Sequence, residues 1–266
     1  MQKLGGIIGK RHFQDVGDID DVVGRFNASD MGAPVLLFID EGAWGGDRKI
    51  GGKLRKLVTE STHRVEKKFM SKYTVDSYCN FVFASNEDWV VPCDIGERRW
   101  FMLRSRDTYG GGQTPDSERY FSRLGAVRPG WLAHYLYERD LSTFNPQAFP
   151  PTRARQQQVE RSMASVARWW NTRLCEGWDC FSAEGDPAVG WPVGVPLVKA
   201  SVYRRYSDNT VHGKESEVHF WRKFKEMAPL DFVRPRGQPP SVRFASLDEC
   251  KAKFREFVRM PDWTFE

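Results

Sequence analysis

The sequence lacks a long hydrophobic run, and this excludes a membrane-spanning helix. The longest uninterrupted apolar stretch is Val35–Ile39, whereas a bilayer span needs about 20 residues. The N-terminal segment MQKLGGIIGK contains no apolar stretch of signal-peptide length. We therefore expect an intracellular chain.

Cysteine and histidine are too few and too scattered for a disulfide framework or a zinc site. The five cysteines are odd in number, no pair reads CxxC, and the five histidines form no HExxH motif. Each histidine is expected to be a surface or packing residue. Apolar and aromatic residues are plentiful, at 40% and 14% of the chain, which excludes disorder as the dominant state.

The charge is small in sum but uneven along the chain. Lys and Arg number 40 and Asp and Glu 35, so the net charge is +5. Met1–Asp47 has four basic and eight acidic residues, while Arg48–Lys72 has nine basic and two acidic ones. Arg153–Arg173 and Ala200–Glu266 are also net basic. Three separate basic zones favour a polyanion partner, nucleic acid above all; solvated helix faces are the alternative for any one zone.

Three stretches rich in Gly, Pro or polar residues divide the chain into segments. They are Thr108–Glu118, Phe144–Ala154 and Glu184–Pro196, and such clusters mark loops or linkers. We predict a first domain over residues 1–150, a helical and Pro/Gly-rich linker over 151–196 and a second domain over 197–266.

The first segment has the pattern of an α/β domain. VLLFIDE (Val35–Glu41) and NFVFASN (Asn80–Asn86) are short apolar runs with polar ends, typical of buried central strands of a parallel sheet. Apolar residues at helical spacing predict a basic amphipathic helix over Gly51–Glu60. WFMLR (Trp100–Arg104) is predicted as a third strand.

The last segment has the element order of a winged-helix module. Helices are predicted over Gln156–Glu176, Val198–Tyr206 and Glu215–Ala228. Two short strands follow around Arg236. Ser246 then begins a last helix, with Glu249 completing a capping box. We therefore predict a winged-helix-like α+β domain at the C-terminal end.

Polar residues follow the two apolar strands, where a parallel sheet forms its ligand crevice. In nucleoside triphosphatases, an Asp at the position of Asp40 helps to hold Mg²⁺, and the adjacent Glu, here Glu41, activates the attacking water. Asn86 ends the second strand, where its amide could contact a phosphate or that water. Each feature alone is also explained by an ordinary acidic turn or an Asn-capped strand.

The adjacent arginines Arg98 and Arg99 complete the set of candidate residues. An arginine that reaches a neighbouring subunit's nucleotide can stabilise the charge of phosphoryl transfer. Taken alone, such an Arg-Arg pair is more simply a pair of surface residues.

The order of these motifs is similar to that in superfamily 3 helicases. The chain resembles the helicase module of phage and plasmid primase-helicases and primase-polymerases, a group that includes poxvirus-type enzymes. The matching motifs lie within about residues 9–106: GRFN (24–27), VLLFIDEGAWGGD (35–47), LRKLVTE (54–60), VEKKF (65–69), NFVFASNEDWVVP (80–92) and ERRWFML (97–103).

The resemblance implies an AAA+-like P-loop NTPase core that uses ATP and Mg²⁺. It implies that Asp40 holds Mg²⁺ through the nucleotide, Glu41 activates water, Asn86 is the sensor amide, and Arg98 or Arg99 is an arginine finger acting in trans across a ring, such as a hexamer. DNA-contacting lysines of a pore hairpin would be Lys67, Lys68 and Lys72.

The same resemblance implies a replication protein of a phage or mobile element, working in the cytoplasm of a bacterial host. Single-stranded DNA would occupy the pore of the ring. The winged-helix-like tail would bind duplex DNA or dock on the helicase, and Arg222 and Arg236 are its candidate nucleic-acid contacts. No membrane partner is expected.

The N-terminus departs from the family pattern. A P-loop reads GxxxxGK[ST], but around Gly9-Lys10 the first glycine position holds Leu4 and the hydroxyl position holds Arg11. LGGIIGKRHF matches the segment after the P-loop helix, so we expect the chain to start downstream of its phosphate cradle. These 266 residues should then not hydrolyse ATP by themselves.

Two other functions remain open. The chain could be a non-enzymatic DNA-binding or oligomerisation remnant of such a helicase. A metal nuclease built on Asp40 and Glu41 is the other alternative, but it leaves the order of Asn86, Arg98 and Arg99 unexplained.

Overall fold

The computed structural model describes residues 1–17, 19, 22, 34–41, 48–65, 73–110, 114–146, 148–177, 190–234 and 236–266. In chain order, the elements are α1 (Gln2–Ile8), β1 (Phe13–Val16), β2 (Leu36–Ile39), α2 (Arg48–Thr59), β3 (Thr62–Val65), β4 (Tyr73–Asp76), β5 (Asn80–Phe83), α3 (Pro115–Ala126), α4 (Pro129–Tyr137), α5 (Arg153–Ser162), α6 (Ser165–Glu176), β6 (Leu197–Val198), α7 (Lys199–Asp208), α8 (Glu217–Met227), β7 (Leu230–Val233), β8 (Ser241–Phe244) and α9 (Leu247–Val258). The predicted α/β class is confirmed.

The chain folds as two compact units. The first contains Met1–Pro92 and Arg98–Gln158, and the second contains Cys93–Glu97 and Val159–Glu266. The predicted division at residues 150 and 196 stays a prediction; the segment predicted as a linker contains helices α5 and α6. No helix of the described residues is both long and apolar enough to cross a membrane.

A three-stranded parallel sheet is the centre of the first unit. Its strand order is β1-β2-β5, and the register aligns Val16 with Ile39 and Ile39 with Phe83. Leu37, Phe38 and Ile39 are buried, because the middle strand is paired on both edges and packed on both faces. The predicted strand at Val35–Glu41 is therefore present but shorter, with bounds Leu36–Ile39.

Helix α2 packs its apolar stripe beside this sheet, as the spacing predicts. Leu54 is fully buried in a cluster with Ile19, against which Ile50, Phe83 and Trp89 pack. The predicted helix over Gly51–Glu60 is confirmed, with bounds Arg48–Thr59. A second sheet follows, in which β3 and β4 form an antiparallel pair that aligns Thr62 with Asp76.

The prediction of a strand at Trp100–Arg104 is wrong. These residues pair with no strand in the described part of the chain. Trp100 is buried, but Leu103 is 73% exposed, and the carbonyl of Met102 accepts a hydrogen bond of 2.7 Å from the Thr152 hydroxyl. The Thr152 side chain thus uses a main-chain carbonyl that would otherwise accept from a neighbouring strand. Apolar composition alone therefore does not predict a strand here.

Strand β1 and helices α3 and α4 have no counterpart among the sequence-based predictions. Helix α3 begins within the stretch predicted as a loop, where Thr114 and Ser117 form a reciprocal capping box. Pro115 and Pro129 each lie at the first turn of a helix, a position that tolerates proline because its N–H has no intrahelical partner.

The second unit has an aromatic core. The large side chains Trp170, Phe224 and Phe244 are almost fully buried, and the Trp170 ring lies 4.8 Å from that of Phe224 and 5.6 Å from that of Phe244. Residues predicted as one helix over Gln156–Glu176 form two helices, α5 and α6.

The predicted elements of the C-terminal segment are confirmed individually. Helices α7, α8 and α9 and strands β7 and β8 lie where the sequence places them. Strand β6 adds a third strand, giving an antiparallel sheet in the order β6-β8-β7. Ser246 and Glu249 form the predicted capping box at the start of α9, which buries Cys250, Phe254 and Val258.

Two helical glycines in the first unit should respond oppositely to alanine. A Cβ at Gly5 would lie 2.5 Å from Cδ1 of Phe13, whereas a Cβ at Gly52 would meet nothing within 4 Å. Overpacking costs about 1–3 kcal/mol, and replacing a helical glycine by alanine gains roughly 0.5–1 kcal/mol. We expect Gly5→Ala to lower the urea midpoint of unfolding and Gly52→Ala to raise it. Equal midpoints for the two variants would contradict the packing of α1 on β1.

Candidate functional site

The two carboxylates predicted as catalytic lie at the carboxyl edge of the parallel sheet. Asp40 and Glu41 directly follow β2, and both are exposed. The Asp40 amide donates to the carbonyl of Val16 at 3.0 Å, which fixes the start of this turn against the end of β1. Main-chain hydrogen bonding therefore fixes the backbone from which the Asp40 and Glu41 side chains extend.

Asn86 leaves the sheet at the same edge. The amide of Ala84 donates to the carbonyl of Ile39 at 2.9 Å, so β5 and β2 end at the same level. Ser85 Oγ then accepts from the Glu87 amide at 3.1 Å, a turn that leaves Asn86 exposed. The strand order thus brings the ends of the two predicted motifs together, although Asn86 comes 45 positions after Glu41 in the sequence.

Glu41 has an unusual backbone conformation. Its φ is +54°, in the left-handed region that non-glycine residues rarely adopt. Such a conformation costs about 1–3 kcal/mol and is concentrated at functional sites. The preceding strand is fixed by hydrogen bonds on both sides, so the unusual conformation begins at the turn after β2.

Arg98 and Arg99 are exposed and follow soon after β5 in the sequence. Arg99 Nε donates to Thr59 Oγ1 at 3.1 Å, at the end of α2. Trp100 is buried and meets the ring of Phe83 edge-on, with 5.4 Å between the centroids. Trp100 therefore anchors the arginine pair to the last residue of β5.

A hairpin is present between the two strands that end at the predicted site residues. Strands β3 and β4 pair in antiparallel register up to Val65 and Tyr73. The three predicted DNA-contacting residues, Lys67, Lys68 and Lys72, belong to the connection between them and lie outside the described residues.

The N-terminal segment has the wrong topology for a phosphate cradle. A P-loop connects a strand to the N-terminus of a helix, where amide groups and the helix dipole attract anions. Here α1 comes first and ends at Gly9, which has a φ of +91°, and the chain then enters β1. A helix C-terminus carries a partial negative charge, so this turn does not suit a triphosphate.

The residues at the sheet edge fit Mg²⁺ only together with a ligand. Mg²⁺ is commonly bound by one or two carboxylates, substrate phosphates and water, and Asp40 supplies one such carboxylate. No group of three or more Asp, Glu, His or Cys in the described ranges could hold a metal by itself. Among the described residues, the sheet edge therefore offers a carboxylate for a metal ion but no main-chain cradle for phosphates.

Cysteine chemistry is not part of this site. Cys79 immediately precedes β5, and burial raises the pKa of its thiol to about 11. Burial likewise raises the pKa of Cys250, in the second unit, to about 12. Both thiols are therefore protonated near neutral pH and are poor nucleophiles.

The nucleic-acid contacts predicted in the second unit are both exposed. Arg222 is on α8, and Arg236 is in the turn between β7 and β8, beside Gly237 with a φ of +75°. Arg222 lines a cleft together with Lys199 and Lys225, which sequence reasoning missed. Lys225 could have been found from its spacing to Arg222 on one helix face, but Lys199 is brought there only by the fold.

Comparisons with known proteins establish the fold. Residues 1–99 match the model of a family of unknown function, DUF5906, and no curated protein matches the chain. Solved apo structures of the C-terminal region of NrS-1 are similar, with TM-scores of 0.60 and 0.62 at 15% and 14% identity. Each match covers 92% of this chain and 62% of the other, so this chain spans less than two thirds of those structures.

Proposed function

We propose that the chain is the ATPase-helicase part of a phage or mobile-element DNA replication protein, of the superfamily 3 type. One observation carries the proposal: the parallel order β1-β2-β5 places the ends of the Asp40-Glu41 and Asn86 motifs at one sheet edge. The similarity of fold to the NrS-1 C-terminal region supports it. The protein would act in the cytoplasm of a bacterial host.

The roles of the edge residues follow from their chemistry. Mg²⁺, bound with ATP, would neutralise charge that develops on the phosphates. Asp40 would hold the ion. Glu41 would orient the attacking water and accept its proton, and Asn86 would position that water or a phosphate oxygen by hydrogen bonds. The strained backbone of Glu41 supports a functional rather than a packing role.

The proposal requires a phosphate cradle from outside these residues. The helix-to-strand turn at Gly9 does not supply one, so the 266-residue chain should not by itself hydrolyse ATP at a helicase-like rate. A non-enzymatic DNA-binding or oligomerisation remnant of such a helicase is the second candidate. ATP hydrolysis by a form of the protein that carries a P-loop would distinguish the helicase from the non-enzymatic remnant.

The position of the hairpin and arginines supports action as a ring, with a hexamer as the expected state. Strands β3 and β4 form a hairpin whose connection carries the lysines that would grip single-stranded DNA in the pore. Arg98 and Arg99 are exposed, as an arginine finger for a neighbouring subunit must be.

We also propose a winged-helix module in the second unit. Its order, α6-β6-α7-α8-β7-β8, and its antiparallel sheet in the order β6-β8-β7 support this. In that arrangement α8 would be the recognition helix, and the turn between β7 and β8 would be the wing.

The hairpin lysines test the DNA-binding part of the proposal. Replacing Lys67, Lys68 and Lys72 by alanine should weaken single-stranded DNA binding. Each lost phosphate contact should reduce the slope of log K against log salt by about 0.7, so three should reduce it by about 2. Fluorescence anisotropy with a labelled oligonucleotide at several salt concentrations measures both effects.

A matched control is alanine at Lys214, Lys251 and Lys253, which removes the same charge from the second unit. This variant should keep the parental salt slope on single-stranded DNA. Equal slopes for all three proteins would mean that the hairpin lysines are only a solvated face.

A further inference from the structure

Helices α3 and α4 of the first unit bury almost none of their own residues. Within the part of the chain that the structure describes, Ser117 is the only buried residue of α3, and α4 has none. Isolated helices shorter than about 12–15 residues are marginal in water, and these two have 12 and 9 residues. Because short helices owe most of their stability to a packed apolar face, both helices call for a partner surface.

One side of α4 is covered by helix α1. The Lys3 ammonium donates to the carbonyl of Gly125, near the end of α3, at 2.6 Å. A Cβ added at Gly6 would lie 3.2 Å from Cγ of Pro129, so α1 and α4 are in close contact there. Trp131 and Tyr135 of α4 are nevertheless 65% and 57% exposed. Helix α4 is thus packed on one side and presents aromatic rings on another.

The exposed aromatic surface of α3 and α4 is large enough for a protein interface. Five aromatic side chains of the two helices are 42–87% exposed: Tyr120, Phe121, Trp131, Tyr135 and Tyr137. At about 150–250 Å² for each side chain in full, they expose roughly 600 Å² together. A standard interface takes about 800 Å² from each partner, and aromatic residues and arginine are enriched in such interfaces.

One face of α4, with the residues that flank the helix, carries a cation, two aromatic rings and an acid in that order. Arg128, Trp131, Tyr135 and Glu138 share this face by their spacing, and all four are exposed. Arg128 Cζ lies 5.6 Å from the centroid of the Trp131 ring, a contact that leaves the positive charge available. We call these four residues the α4 stripe.

The α4 stripe is complementary to itself when two copies of the helix pack antiparallel. A two-fold axis at the level of Ala133 places Trp131 opposite Tyr135 of the partner subunit. The same axis places Arg128 opposite Glu138 of the partner subunit. Each contact then occurs twice, as an isologous interface requires.

The charges around the α4 stripe favour a protein partner over a nucleic acid. Arg139 adds a cation, with its Cζ 5.4 Å from the Tyr135 ring centroid, but Glu138 and Asp140 are its neighbours in the sequence. Residues 128–140 therefore contain two cations, both arginines, and two acids. Surfaces that bind nucleic acid are instead strongly positive.

We propose that two copies of this chain pair through their α4 helices in antiparallel orientation. The aromatic residues of the α4 stripe form the centre of the contact, and the Arg128–Glu138 pairs fix its register. The pairing needs neither ATP nor DNA. It differs from the proposed ring contact of Arg98, because an isologous pair closes on itself whereas a ring is built from head-to-tail contacts. It therefore goes beyond the function proposed above.

Sedimentation equilibrium of the full chain, without ATP or DNA, tests the pairing. The parent should reach twice the mass of one chain, with a Kd in the micromolar range or tighter. Trp131→Glu together with Tyr135→Glu places like charges at the centre of the contact and should raise the Kd about a hundredfold or more. Val211→Glu with Val218→Glu, at exposed positions of the second unit, is the matched control and should keep the parental Kd.

A charge swap tests the antiparallel register. Arg128 precedes α4 and Glu138 follows it, so Arg128→Glu and Glu138→Arg each suit the helix dipole and should leave the unfolding midpoint of the monomer unchanged. Each variant alone should pair about tenfold more weakly than the parent, because like charges then face each other. An equimolar mixture of the two variants should associate about as tightly as the parent, since opposite charges again face each other at both ends.

Three results would overturn the proposal. They are a parent that stays monomeric over the micromolar range, a parental Kd in the Trp131 and Tyr135 variant, and no gain in association when the two charge variants are mixed. A monomeric parent that binds a single-stranded oligonucleotide through Trp131 and Tyr135 would identify nucleic acid as the partner instead. Since no measurement uses ATP or a P-loop, failure of the pairing and failure of the proposed hydrolysis are separate outcomes.

Discussion

Replacing Glu41 by glutamine should lower ATP turnover by about a hundredfold or more, the usual contribution of a general base, in a form of the protein that carries a P-loop ahead of Leu4. The amide keeps the size of the side chain but cannot accept the proton of the attacking water. ATP should still bind, because Glu41 is not proposed to contact the nucleotide directly. Turnover and nucleotide binding are measured separately, by phosphate release and by equilibrium binding of labelled ATP.

Glu87→Gln is the matched control for this substitution. Glu87 is an exposed carboxylate that follows Asn86 at the same sheet edge, and it has no proposed role. Its replacement should leave turnover within about twofold, since surface substitutions have small effects. Normal turnover in the Glu41 variant would remove that residue from the mechanism and leave its positive φ without a functional explanation.

Removing both arginines should have a still larger effect. An arginine finger contributes about 10³–10⁵ in kcat, so Arg98→Ala together with Arg99→Ala should abolish measurable turnover by the oligomer. The single variants identify which arginine acts as the finger. The variant that loses it should lose turnover as the double variant does, and the other should keep most of its turnover.

Arg104→Ala with Arg106→Ala is the control for lost positive charge. Both arginines are exposed and lie in the same extended segment, beyond Trp100. Their removal should leave kcat nearly unchanged. A similar loss in this control would mean that the segment acts through its overall charge and not through a finger.

The elements of the fold were largely predictable where a local pattern specifies them. Helix α2 has an apolar stripe at helical spacing, α9 has the Ser246–Glu249 capping box, and β2 is a short apolar run. Each signal depends only on neighbouring residues. Strand β1 has no such signal, because its four residues FQDV neither alternate nor form an apolar run.

The spatial order of the strands was not predictable in the same way. A sequence motif can place Asp40 and Asn86 at strand ends, but their proximity depends on β5 pairing with β2 across the intervening β3–β4 hairpin. At Trp100–Arg104 the composition suits a strand, but no strand forms. The Thr152 hydroxyl instead donates a hydrogen bond to the carbonyl of Met102. Long-range partners decide both cases.

The cationic cleft of the second unit shows a further limit. Arg222 stood out as a basic residue on a predicted helix, whereas Lys199 lies at the start of α7 and reaches the cleft only because Trp221 and Phe232 meet there. Electrostatic character is a property of the folded surface, and the sequence reports only the average over a segment.

A mixing experiment tests the central claim most directly. Subunits with Glu41→Gln keep the arginines, and subunits with Arg98→Ala and Arg99→Ala keep Glu41, both in the P-loop-carrying form. If the sheet edge of one subunit works with an arginine of the next, two inactive proteins should regain part of the ATPase activity when mixed. No recovery in mixed oligomers, with each parent inactive, would contradict a shared nucleotide site built on Asp40, Glu41 and Asn86.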